Sequence, residues 1–203
     1  IIQQRAAINY AGQQNLLSYA QGAYLDAIGL NLAIERLTAA HAVTTIRFTL
    51  SAALEENYII PQGFAVTNGV VTFATDAELV IAPGDLTGSV GATCTTAGED
   101  GNGYTAGQLS TIVQPMAFLS RAENITATSG GAGVESDADF AKRIRLAPNS
   151  FSVAGPARAY IYHALSANPG IIDVAVKSPS PGFVQVFILM EGGALPSVEV
   201  LDE

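Results

Sequence analysis

Glu135–Gly170, ESDADFAKRIRLAPNSFSVAGPARAYIYHALSANPG, is the stretch that decides the reading of this chain. Ser136 is placed to cap a helix whose third residue is Asp139, a capping box with Asp in place of Glu. That helix must stop before Pro148, because the residue ahead of a proline is pushed out of the helical region. Gly155-Pro156 opens a second helix, with proline in the first turn where its missing N–H costs nothing. Tyr160, His163, Ala164 and Ala167 share one face of it, and Asn168-Pro169-Gly170 ends it. Two strands follow, Ile171–Lys177 and Phe183–Met190. The second is almost wholly apolar, which predicts that both its faces are covered. Residues 195–203 read as the start of a further helix.

Upstream of this stretch the period of the pattern changes twice. Ala6, Tyr10, Leu17, Ala20 and Tyr24 form one stripe at helical spacing, read as core packing over residues 1 to about 38. Gly22 interrupts it, and a second helix is expected from about Leu25 to Leu37. Ile8, Leu16, Tyr19 and Ala23 make a second apolar face, suited to a partner chain. From residue 43 the pattern alternates, as in Thr45-Ile46-Arg47-Phe48-Thr49-Leu50, which marks a half-buried strand. Short strands are expected at 58–60, 64–67, 70–74, 79–81 and 89–96. Asn68-Gly69 predicts a hairpin with both central residues at positive φ. Ser129–Gly133, SGGAG, reads as a linker.

The expected fold is therefore α+β. An N-terminal helical segment spans 1–42 and a small antiparallel β domain, a sandwich or open barrel, spans 43–128. A glycine-rich linker covers 129–134, with Gly130, Gly131 and Gly133 as hinge residues. A helix-helix-strand-strand module at 135–203 is expected to be incomplete.

Composition narrows the function. Of 203 residues, 49% are hydrophobic, so a sizeable core is available, whereas only 13% are charged, roughly half the usual share. Such a surface suits either burial against partners or a well-packed single domain. The net charge is −9. Between Arg47 and Arg121 there is no Lys or Arg, but there are Glu55, Glu56, Asp76, Glu78, Asp85, Glu99 and Asp100. That segment repels phosphate, which argues against nucleic acid as a partner. Lys142, Arg143 and Arg145 form the one basic cluster, read either as a solvated or ion-pairing face or as a contact surface for a partner protein. Leu16 and Tyr19 are the apolar candidates for such contact.

No catalytic constellation is visible, and the chain is read as a non-enzyme. His41 and His163 are the two histidines, and both read as structural. Cys94 stands alone, which excludes an intrachain disulfide and reads as a buried, inert thiol. GEDGNG at 98–103 lacks the spaced ligands of a calcium loop, and the glycines at 130–133 lack a following Walker lysine. No cofactor, metal, small-molecule substrate or membrane partner is expected. The chain begins at Ile1 rather than Met and is read as processed or as a fragment.

Several segments, in order, resemble the baseplate J-like family of contractile phage tails. Ala20–Asp26 with Gly29 and Glu35-Arg36-Leu37 resembles that family's A-x-G-x-x-L-D pattern and the Arg after it. Ile59–Gly63 with Phe73–Asp76 is similar to its I-P-x-G and F-x-T segments. Gly101-Asn102-Gly103 with Ala106–Leu109, Glu135-Ser136-Asp137 with Arg143–Pro148, and Ala154-Gly155-Pro156 with Tyr160 complete the match. The turn at Thr67–Val70 and the pair Phe64-Ala65 depart from it modestly.

The resemblance implies a structural wedge protein of a contractile-tail baseplate, located in the virion tail and assembled in the host cytoplasm. Its implied partners are other baseplate proteins and copies of itself, in a ring about the central hub beneath the sheath. The family has a segment before the first helix and a helix and strand after the last, so the C-terminal module is expected to lack its completing piece. A hinge at Ser129–Gly133 would let the β domain reorient when the tail fires. The competing reading is a glycan-binding or adhesive β module, which would need an exposed aromatic platform built from Phe48, Tyr58, Phe64, Phe73 or Tyr104. A cell-wall hydrolase, the remaining alternative, would need a converging acid and base.

Overall fold

The computed structural model describes residues 2–150, 155–193, 195–196 and 198–201. The chain is α+β and divides into two units. One comprises the residues up to Thr38 together with Val134–Pro196. The other comprises Ala39–Gly133 together with a short C-terminal helix.

The second unit is a nearly closed antiparallel barrel. Its strands are β1 (His41–Leu50), β2 (Tyr58–Ile60), β3 (Ala65–Thr67), β4 (Thr72–Thr75), β5 (Leu79–Ile81), β6 (Thr87–Ala97), β7 (Thr111–Ile112) and β8 (Leu119–Asn124). Six of them form one sheet in the order β7-β3-β4-β6-β1-β8, and β2 pairs with β5. The alternation in β1 becomes burial: Ile46, Phe48 and Leu50 point inward while Arg47 points out. Phe73, Val66, Ile81 and Leu109 complete the core, and Phe48 meets Phe64 edge-to-face at 5.6 Å. The two ends of the sheet are drawn together by Asn124. Its amide N–H donates to Leu109 O at 3.2 Å, and its side-chain oxygen accepts from Leu109 N at 2.9 Å. Its NH2 donates to Thr105 O and Thr126 O. A side chain so deeply buried is tolerated because its hydrogen-bonding capacity is used.

β7 and β8 were not visible as strands in the sequence, where LSRAEN carries too much charge for a core run. β8 pairs with β1 through Ile46↔Asn124 and Phe48↔Ala122, and its charges lie outward, where Glu123 receives both Arg47 and Arg121. The hairpin at Asn68-Gly69 is present, but its turn differs from the expected type. Gly69 alone of the pair has positive φ. Asn68 Oδ1 accepts from Val70 N and Val71 N, both at 3.0 Å, so an Asx turn closes a longer loop.

The first unit contains α1 (Ile2–Gln13), α2 (Ala23–Leu30), α3 (Asp137–Leu146), α4 (Ala157–Ala167), and the hairpin β9 (Ile171–Lys177) with β10 (Gln185–Met190). The short helix α5 (Val198–Leu201) belongs to the second unit. Ser136 caps α3 as expected, its hydroxyl accepting from Asp139 N at 3.2 Å. The core of this unit is Ala20, Leu25, Ile34, Phe140, Ile144 and Ala147. Gly29 admits the Phe140 ring: a Cβ there would lie 2.5 Å from Phe140 Cζ.

Three expectations are corrected here. The helix expected to reach Leu37 ends at Leu30. Ile34 N donates to Gly29 O and Ala33 N to Leu30 O, both at 3.0 Å, with Ala33 at φ 55°. This is a Schellman stop, hidden in sequence because Ala rather than Gly occupies the left-handed position. Ala33→Gly removes a Cβ clash and is expected to stabilise the protein by about 0.5–1 kcal/mol. A lowered thermal midpoint would contradict that assignment. Second, the stripe read as core packs only in part: Leu17 and Ala20 join the core, while Ala6, Tyr10 and Tyr24 are exposed and α1 buries no residue. Third, β10 is not covered on both faces. Val174 and Ile188 pair on the face that is largely buried, while Phe187 and Leu189 on the other are open among the described residues. On α4, Ala159 and Leu165 are buried, while Tyr160 and His163 are exposed.

Candidate interaction surface

The basic cluster separates once folded. Arg143 is buried. Its Nε donates to Glu135 Oε1 at 2.8 Å and its Nη2 to Glu135 Oε2 at 2.7 Å, a two-pronged pair with side-chain exposures of 5% and 3%. The same Nη2 donates to Glu35 O. Lys142 reaches Ile172 O at 2.9 Å and Asp173 at 3.2 Å. With the Val174 N–H, that ammonium holds the Asp173 carboxyl below its usual range, the lysine contact being the larger cause. Arg145 is exposed and makes no ion pair among the described residues.

Around Arg143 the chain builds a clamp that sequence reading did not assign. Glu135 N donates to Leu37 O at 3.1 Å, and Leu37 N donates to Glu135 Oε2 at 3.0 Å. Arg36 reaches Glu135 O at 2.8 Å, Asp26 at 2.8 Å and Asp137 at 2.7 Å. Burial would lower the Arg36 pKa, but the two carboxylates more than offset it and raise it. Asp137 is held below its usual range by the Gly22 N–H first and then by Arg36. Both guanidinium groups lie over the Phe140 ring, at 4.9 and 5.3 Å from its centroid. The clamp therefore ties residues 35–37 to residue 135, where the chain leaves and re-enters this unit.

The expected hinge glycines have distinct settings in the second unit. Gly131 N donates to Asn102 Oδ1 at 2.9 Å, and Asn102 Nδ2 donates to Gly131 O at 2.7 Å. A Cβ at Gly131 would lie 2.3 Å from Gly98 O, so no larger residue fits there. Ser129 and Ala132 flank it with backbone bridges to Val43 and Ala40. Gly130 has φ 88°, and Gly133 is exposed.

Two of the regions with exposed apolar side chains bear on partner contact. Leu16 and Tyr19, the expected partner contacts, are 55% and 54% exposed. At the barrel, Leu54, Glu55, Glu56, Asn57 and Tyr58 face Met116, Ala117 and Phe118 across an open groove of about 640 Å³. Tyr58 Oη donates to Ala117 O at 2.6 Å, and burial raises its pKa. Phe118 stands at φ 64°, a strained conformation for a bulky residue. The platform a sugar-binding module needs is not assembled: Phe48, Phe64 and Phe73 are buried in the barrel core. His41 Nδ1 donates to Cys94 O at 2.7 Å, Cys94 is buried, and His163 lies edge-on to Tyr162. No cluster of metal-ligating side chains occurs among the described residues, and no helix is long and apolar enough to cross a membrane.

Residues 45–131 match the profile of the baseplate J-like protein barrel domain, and residues 152–203 match that of the baseplate J-like central domain. Baseplate protein J of Escherichia phage P2 is 37% identical over 84 residues, covering 41% of this chain and 28% of that relative's length. A chain in the baseplate of the anti-feeding prophage resembles this one with a TM-score of 0.42 at 12% identity, over 95% of this chain and 59% of that one. The two profiles together span about two thirds of the sequence, and the chain belongs to the baseplate J-like proteins, of which it carries the barrel and central domains.

Proposed function

We propose that the chain is a structural wedge protein of a contractile-tail baseplate. It assembles through contacts with other baseplate proteins and with copies of itself into a ring around the central hub, beneath the sheath. The observation that carries this reading is the match of barrel and central domains to baseplate J-like profiles. The exposed apolar residues of the N-terminal segment support it, because an isolated helix as short as α1 gains most of its stability from packing. The reading includes no catalytic step, cofactor, nucleic acid, membrane or small molecule. Arg145 is the cation of the basic cluster best placed for a partner, and Leu16 and Tyr19 are its apolar counterparts. Gly133, the exposed member of the glycine set, is the position at which we place the hinge.

Mass spectrometry of purified intact tails, with electron microscopy of the same particles, tests this. The chain is expected at low copy number, well below the sheath protein. Its absence from particles would discard the reading. Tails carrying Gly133→Pro are expected to assemble yet fail to contract, and normal contraction would remove the hinge.

A further inference from the structure

Two surfaces on this chain are uncovered and opposite in character. The helix α1 buries no residue, and Ile2 and Ile8 are 86% and 73% exposed. Its sole charged residue is Arg5, and no acid occurs before Asp26. Ile2, Arg5, Ile8 and Asn9 lie on one face at helical spacing. The barrel groove is the converse. Leu54, Tyr58, Met116 and Phe118 line it, Glu55 and Glu56 are exposed at its wall, and Phe118 is held at positive φ and is 56% exposed. No cation within the barrel unit is available to those glutamates, since both of its arginines, Arg47 and Arg121, are engaged by Glu123.

We infer that the groove formed by Leu54–Tyr58 and Met116–Phe118 receives helix α1 of a second copy of this chain, with Arg5 against Glu55 and Glu56 and Ile2 and Ile8 against the apolar wall. The docking mode is an amphipathic helix laid in a groove. Residues that expose apolar area to water on both surfaces lose that exposure on contact, and a helix too short to be stable alone gains a packing face. The opposite charges set orientation and favour this contact over an α1–α1 pairing in which the arginines would meet. Because arm and groove are different surfaces, the contact is head-to-tail, the type that generates rings or open filaments rather than a closed pair. This takes its setting from the ring reading above and names the surfaces through which copies meet.

A charge exchange tests it in the full chain by sedimentation velocity. The wild-type protein is expected to self-associate, more weakly as salt is raised. Arg5→Glu alone and Glu55→Lys/Glu56→Lys alone are each expected to weaken association by roughly tenfold or more. An equimolar mixture of the two variants restores it, since every arm then meets a groove of opposite charge. All the changed side chains are exposed, so circular dichroism and thermal midpoint should stay at wild-type values. Wild-type association by Arg5→Glu, failure of the mixture to recover, or a wild-type chain monomeric at every concentration would each overturn the contact. Ile8→Cys with Phe118→Cys, in a Cys94→Ser background, adds a covalent readout. Disulfide-linked oligomers are expected, whereas a bridge confined to single chains would show that α1 folds onto its own barrel and refute the second copy. Should the exchange succeed while tail particles lack the protein, the baseplate reading falls and this contact stands. Should particles contain the protein while the exchange fails, the contact falls alone.

Discussion

Arg143→Ala is expected to destabilise the helical unit by about 3–5 kcal/mol, because it strands a buried carboxylate rather than merely deleting a bond. Glu135 has almost no access to water, and besides Arg143 it binds the Leu37 N–H. With the guanidinium gone, that carboxylate is left buried without a cation unless the turn opens to solvent. Arg143→Lys should fail to rescue, since an ammonium cannot span both carboxylate oxygens in the fork geometry. Replacing both partners together, as Glu135→Leu with Arg143→Met, should recover most of the loss, because a buried pair replaced by apolar groups of similar volume leaves no unpaired charge. Native-state hydrogen exchange at the α3 amides isolates this unit from the barrel and reads the opening free energy directly. A loss under about 1 kcal/mol for the alanine variant would mean that the pair behaves as a surface ion pair, and the clamp would lose its basis.

Phe140→Ala should cost a similar amount, about 3–5 kcal/mol, by transfer and cavity effects combined. The ring is fully buried, packs where Gly29 leaves no Cβ, and carries Arg36 and Arg143 above it. Removing it opens a cavity bounded by Leu25, Ile34 and Ile144 and takes away the surface on which both guanidiniums rest. Phe140→Leu refills much of the volume but supplies no ring face to the cations. Its cost should fall to about 1–2 kcal/mol. The same exchange measurement applies. Equal losses for the alanine and leucine variants would show that ring stacking, not volume, dominates at this site, and near-neutrality of both would refute the packing described.

How much of this was legible from residues alone follows from the range of the interactions involved. Ser136, Pro148 and Pro156 act within a few positions of themselves, so α3 and α4 could be placed in advance. The alternation of β1 and the hairpin at Asn68-Gly69 are also local signals. The stop of α2 at Ala33 is local too, but it was missed because a residue with a Cβ occupies the left-handed position. Leu119–Asn124 was missed because an outward-facing strand of a barrel carries charges that a periodicity argument assigns to a loop.

The clamp shows the opposite case. Asp26, Arg36, Glu135, Asp137 and Arg143 were all in view as fragments of family patterns. Nothing in their spacing pairs Arg36 with Asp137, about a hundred positions away. Arg143 stood between two other cations and read as part of a solvated face, an ion-pairing face or a partner contact; the fold makes it an ion pair, with a partner the sequence did not name.

By itself the sequence determined the α+β class, an antiparallel β segment, the Ser136 cap, and the low share of charge that turns attention to assembly. These depend on neighbours within a turn or a hairpin, or on composition alone. Tertiary structure decided which cation is buried, which apolar faces stay open and where the barrel closes. Those outcomes rest on contacts between residues far apart along the chain, where burial raises the cost of an unpaired charge and so selects partners that no local pattern encodes.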